Sequence, residues 1–165
     1  MINYGKIIVK NIKKYNAIIK NKQKVIGNER IKVMNDIKEI IDTNKYNVDG
    51  ILNAINKLNK TIEKNENEIT MLEDKIIDLY SMLYEDENLD KLITQIEEFM
   101  YSINYYKVIE KNNNKSKSKE DITLMLFSNK QDIIDYLYSI NSDNMDSDDA
   151  QYREYLIAKI NELFE

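Results

Sequence analysis

The sequence predicts an all-α protein: a long antiparallel helical hairpin or coiled coil packed with a third helix, plus a small C-terminal helical segment. Three observations carry that reading. Proline is absent and glycine occurs only at Gly5, Gly27 and Gly50, so the strongest helix breakers are nearly missing. Between Val48 and Leu83 runs an almost unbroken heptad, with Val48, Ile55, Ile62, Ile69, Ile76 and Leu83 at a and Ile51, Leu58, Asn65, Leu72 and Leu79 at d. The first 26 residues hold seven lysines and no acid, a charge that calls for an acidic neighbour.

The first helix is expected over about residues 3–42, where Ile8, Ile12, Tyr15, Ile19, Ile26, Val33, Ile37 and Ile40 recur at helical spacing. Gly27-Asn28 is a place for it to bend. Residues 43–47 read as a short connection, with Asn47 as N-cap and Asp49 in the first turn of the next helix. The heptad helix, about 48–84, would be roughly 54 Å long at about 1.5 Å per residue, and it cannot bury its own seam. After residues 85–88 the pattern restarts out of phase at Leu89, Leu92, Ile96, Phe99, Ile103 and Tyr106. A turn and a third helix over about 89–110 account for the shift; a skipped residue within one continuous coiled coil is the alternative.

Residues 111–118 contain no apolar side chain and read as a flexible polar linker. An acidic helical tail region follows over 119–165. Ser118 with Asp121 makes a capping box ahead of Ile122–Phe127, Asp132–Ile140 is a second piece, and Ser147, Asp148 and Asp149 open a last helix through Leu163. The domains expected are thus a long-helix bundle over 1–110, the linker, and the tail. No repeat at helical-solenoid periods is visible.

Isoleucine at a with leucine at d favours a parallel two-stranded zipper. The flanking pairs such a dimer would form, Ala54 with Asn59, Thr61 with Glu66, Glu68 with Glu73 and Lys75 with Tyr80, include no attractive ion pair. Folding the chain back near Lys45 instead sets residue i beside about 90 − i, which lays the basic stretch against Glu66, Glu68, Glu73, Asp74, Asp78, Glu85 and Asp86. Charge therefore favours the hairpin, each exposed pair contributing only about 0.2–1 kcal/mol. Asn65, the lone polar d residue, is either a register device or a tolerated, partly hydrated defect.

Histidine, cysteine and tryptophan are absent, which removes the usual neutral-pH general base, thiol nucleophiles, disulfides and the common zinc sets. No convergent acid/base constellation is visible, and no enzyme, catalytic residue, cofactor or metal is expected. Aligning Asn144, Asp146 and Asp148 with a calcium loop places Asp149 where glycine is needed and Tyr155 where glutamate is needed, so helix capping explains these acids better. The apolar runs are short, four residues at Leu124–Phe127, and no secretory signal is visible, so a soluble protein with no membrane span is expected, cytoplasmic or within a virus or phage particle.

Two surfaces are candidates for interaction. Lys6, Lys10, Lys13 and Lys14 form a basic face that could grip phosphates, although the net charge is −5 and no arginine precedes Arg30. From Lys119 onward four basic residues stand against eleven acids, and this half carries Tyr136, Tyr138, Tyr152 and Tyr155 beside Asp148 and Asp149. The leading expectation is a non-enzymatic structural or assembly protein acting through helix packing, a phage or viral particle component in its most concrete form because Ile, Lys, Asn and Tyr usage reflects AT-rich codons. Its partners would be protein subunits of an assembly, with a homo-oligomer possible and nucleic acid disfavoured. The alternative is a soluble regulatory binder of another protein using the acidic face; the third is nucleic-acid binding through the basic first helix.

Overall fold

In the computed structural model, residues 2–43, 48–111, 117–140 and 145–164 are described, with side chains described except at 2, 3 and 105–111. Six helices and no strand occur among them: α1 (Ile2–Asp42), α2 (Val48–Tyr84), α3 (Glu87–Lys111), α4 (Lys119–Ser128), α5 (Lys130–Ser139) and α6 (Ser147–Leu163). Helix α1 is continuous through Gly27-Asn28. The predicted connection at 44–47, including the Asn47 cap, and the linker residues 112–116 lie outside the described residues.

The helix boundaries follow from local capping. Glu85 and Asp86 form the turn after α2, and the Asp86 carboxylate accepts from the backbone N–H of Asn88 and Leu89 at 3.1 and 3.4 Å. That cap starts α3 two residues ahead of the first apolar seam residue, Leu89, and it resolves the phase shift as a turn. Ser118 and Asp121 form the predicted capping box on α4. Asn129 ends α4 through its N–H on the Met125 carbonyl and starts α5 by accepting from Gln131 N–H, so α5 begins before Asp132. Asp146 caps α6, which runs over the expected Ser147–Leu163, by accepting from Asp149 N–H at 2.8 Å.

The described chain divides into two compact units, Asn11–Asp78 and a second formed by Met1–Lys10 with Leu79–Glu165. The first is a two-helix hairpin in which α1 packs against α2. Its register is the one that charge predicts: Lys22 is ion-paired with Glu68, and Lys75 Nζ lies 5.8 Å from the centre of the Tyr15 ring, both pairs satisfying i and 90 − i. Asn65 donates to the Thr61 carbonyl one turn back at 2.9 Å, so its amide is satisfied within its own helix.

Ile12, Ile19, Ile26, Ile69 and Ile76 are the buried hydrophobic residues of this unit, whereas the same seam opens toward the turn, with Val48 58% and Ile55 38% exposed. The expectation that other helices fill the seam is thus met along only part of its length. Two helices give each other one face, and no further element of this unit covers the flank.

In the second unit, α3 packs on α4 and α6, and α5 packs on α4 and α6. Ile93, Ile96, Met100, Ile122, Ile133, Leu137, Leu156 and Ile160 are fully buried there. Tyr84 and Lys119 lock the arrangement: Lys119 pairs with Asp90 and sits 4.2 Å from the centre of the Tyr84 ring, whose hydroxyl lies 3.4 Å from Thr123. The tail helices and α3 therefore share one core.

The two described α1 glycines make opposite predictions. A Cβ on Gly5 would lie 2.2 Å from a Phe127 ring carbon, whereas one on Gly27 meets nothing within 4 Å. Gly5→Ala should destabilise by about 1–3 kcal/mol through overpacking; Gly27→Ala should stabilise by up to about 1 kcal/mol through helix propensity. Chemical denaturation followed by circular dichroism measures both. The Lys22 hydrogen bond holds the Glu68 carboxyl below the usual glutamate range, against a smaller opposing effect of desolvation. That stabilisation is present above the unfolded-state pKa and is lost as pH falls through the lower folded value. The difference in Tm between wild type and Glu68→Gln should accordingly be present at pH 7 and shrink below about pH 4.

Candidate functional site

The helix ends of the second unit leave a groove of about 640 Å³. Tyr4, Gly5 and Ile8 of α1, Met82 and Leu83 of α2, Leu89 of α3, Phe127 of α4 and Leu163 with Phe164 at the end of α6 form its apolar lining, and Glu85, Asp86, Glu87 and Asn88 form its rim. Gly5 makes the lining possible, because without a side chain the start of α1 accepts the Phe127 ring against its backbone. Phe127 in turn meets Phe164 edge to face, with ring centres 4.9 Å apart and planes at 72°. Ile8, Leu83, Leu89 and Phe127 are buried, whereas Tyr4 and Met82 are exposed at the mouth.

Chemically the groove offers apolar contact surrounded by negative charge. Its lining holds no serine, threonine, histidine, cysteine, lysine or arginine, so it has neither a nucleophile paired with a base nor a fixed cation for an anionic substrate. Such a surface suits an apolar side chain or helix edge whose flanks are basic. Sequence reading missed this groove because its walls come from four stretches spread over the chain. The one available signal was Gly5, a helix-interior glycine that is unfavourable by about 1 kcal/mol unless packing requires it.

The residues singled out by sequence occupy other places. Lys6, Lys10, Lys13 and Lys14 lie along successive turns of α1 and are exposed. Tyr136 is half-buried, hydrogen-bonded to Asn104 and covered by Lys117, whose Nζ is 5.3 Å from the ring centre. Tyr138 on α5 and the pair Tyr152 and Tyr155 on α6 make separate sets of contacts. Tyr138 donates to Glu154 at 3.2 Å beneath the Arg153 guanidinium, 4.8 Å from the ring centre, while Tyr152 stacks on Tyr155 at 5.9 Å and meets Phe99 at 5.6 Å. Tyr138 thus lies beside a cation, the Tyr152–Tyr155 stack sits against Phe99 of α3, and Tyr136 is a packing residue.

Asp148 and Asp149 lie in the first turn of α6, next to the Asp146 cap. Burial, reinforced by the like charges of Asp146 and Asp148, pushes the Asp149 carboxyl above the usual aspartate range. Among the described residues no group of three His, Cys, Asp or Glu side chains converges on a possible metal position. Asn144 of the calcium alignment lies outside the described residues. Asp146→Ala should cost about 0.5–2 kcal/mol through loss of the cap, with the same loss in calcium and in chelator; a calcium-dependent rise in wild-type Tm would instead point to a metal site.

No helix among the described residues is long and apolar enough to cross a membrane. No family model, curated protein or solved structure matches this chain, so its function has to be argued from the faces it exposes.

Proposed function

We propose that this chain is a non-enzymatic structural or assembly protein that works by packing its helices against other protein chains. The observation that carries the reading is the apolar surface left on the hairpin unit: Ile31, Met34, Ile41, Val48 and Leu52 are all more than half exposed. A solvated helix face ordinarily carries charge at such positions, and clustered exposed apolar residues mark interaction sites. The narrower assignment, a phage or viral particle component, draws its support from the AT-rich codon signature.

A second reading is favoured by the groove with its acidic rim: a regulatory binder that receives a basic, amphipathic segment of another protein. The basic face of α1 supports nucleic-acid binding more weakly, because lysines alone provide phosphate attraction without base recognition. Solution mass with and without salt separates the three. The assembly reading expects species larger than one chain that persist in high salt, as apolar contacts require; a salt-insensitive monomer that joins no larger particle overturns it. Retention on DNA that collapses between low and moderate salt would support the third reading.

A further inference from the structure

We infer that the groove at the helix ends of the second unit docks an amphipathic helix of another protein whose apolar stripe carries lysine or arginine along one border. This docking rests on the groove reading above and is independent of the assembly reading. Glu85 and Glu87 are exposed at the turn between α2 and α3 and, with Asp86, form one edge of the groove. Among the described residues neither Glu85 nor Glu87 makes an ion pair. The backbone adds to their charge. The C-terminal turns of α2, α4 and α6 reach the lining at Leu83, Phe127 and Leu163, and none of the three has a basic residue in its last turn. Each such end carries about half a negative charge and is stabilised by a nearby cation.

The starts of α1 and α3 also reach the groove, but the Asp86 cap and Glu87 already meet the positive end of α3. The neighbouring cations, Lys91 and Lys159, line a separate cleft with Asn88 and Leu163, and Lys159 is paired with Glu162. The carboxylates of the lining thus stand on one edge, which calls for cations on one border of the occupant. Tyr4 and Met82, 57% and 42% exposed, continue the apolar surface outside the cavity. A small amine held within the groove would leave both uncovered, whereas a helix laid across it covers them. The chain's own basic stretch is not free to be that helix, because Ile12 and Ile19 of its apolar stripe are already buried. Nucleic acid or an anionic membrane would meet carboxylates at the same edge.

The test uses the full chain and a designed helix of about 18 residues, five turns, of leucine, alanine and lysine, with the lysines along one border of a leucine stripe. A second peptide of identical composition carries its lysines opposite the stripe, and a third has glutamate in place of lysine. Each is titrated while carbon-13-labelled methionine methyl groups are followed by NMR. The bordered peptide should bind one to one and shift Met82, but not Met34 or Met71 of the hairpin unit. The other two should bind roughly tenfold more weakly or worse. Glu85→Lys/Glu87→Lys should weaken the bordered peptide by a similar factor, whereas Asp36→Lys/Glu63→Lys, the same change in net charge at exposed sites of the hairpin unit, should leave its binding unchanged. The comparison among peptides decides the question even if the groove variant unfolds. Equal binding of both lysine peptides, each shifting Met82, overturns the bordered partner and leaves the groove reading. If no peptide shifts Met82, both fall. A Met82 shift produced only by naphthylmethylamine, or only by raising the protein concentration, likewise overturns both and gives the groove to a small amine or to a second copy.

Discussion

The antiparallel pairing of α1 with α2 is the constraint on which the rest depends. Two helices of this length can cover each other along one seam, and everything they leave uncovered must be charged, packed by another element or used. The pairing also assigns electrostatic roles. A stretch with seven lysines and no acid would repel itself in a parallel dimer, whereas the turn brings it against the acidic half of α2. Lys22 with Glu68 and Lys75 with Tyr15 report the same register from opposite directions of charge, one cation donated by each helix. Exposed pairs contribute little to stability, so their main effect is selection among pairings of similar burial.

The two units manage their apolar surface differently. Where α3, α4, α5 and α6 pack together, each helix finds more than one neighbour, and residues such as Ile93, Ile133 and Ile160 are fully enclosed. In the hairpin unit a side chain displaced from the seam by a quarter turn has no neighbour of its own. Met34 is 69% exposed for that reason, and Ile31, on the side of α1 away from the seam, is 61% exposed. Helix propensity does not require an apolar residue at such a position, since lysine, glutamate or glutamine would serve the helix as well. The exposed apolar face is consequently the feature hardest to explain by the stability of a single chain.

Much of the fold was legible because it is written locally. Helix periodicity, the absence of proline, and caps at Ser118 and Asn129 act within a few residues of themselves, and the hairpin register follows from charges that need only one turn to meet. The groove was not legible, because Gly5, Leu89, Phe127 and Phe164 are brought together by tertiary packing that no single period announces. The tyrosines show the same division. Their number in the second half is visible in the chain, but that Tyr138 meets Arg153, Tyr152 stacks on Tyr155 beside Phe99 and Tyr136 packs beside Asn104 depends on how α5 and α6 are rotated.

The heptad of α2 illustrates why a sequence pattern underdetermines its partner. Its seam specifies that an apolar surface must lie against it, and the flanking charges specify which alternative is disfavoured, yet neither says how many neighbours the helix has. Burial adds that information: Ile69 and Ile76 are enclosed, while Val48 remains 58% exposed on the same helix and in the same heptad position. A uniform seam with non-uniform burial means that the apolar pattern extends farther than the contacts made within one hairpin. Had stability of the isolated chain been the only requirement, the pattern at Val48 and Ile55 could have relaxed toward polar residues. Its persistence to the turn, together with the exposure of Met34 and Leu52 beside it, is the feature on which the proposed assembly role rests.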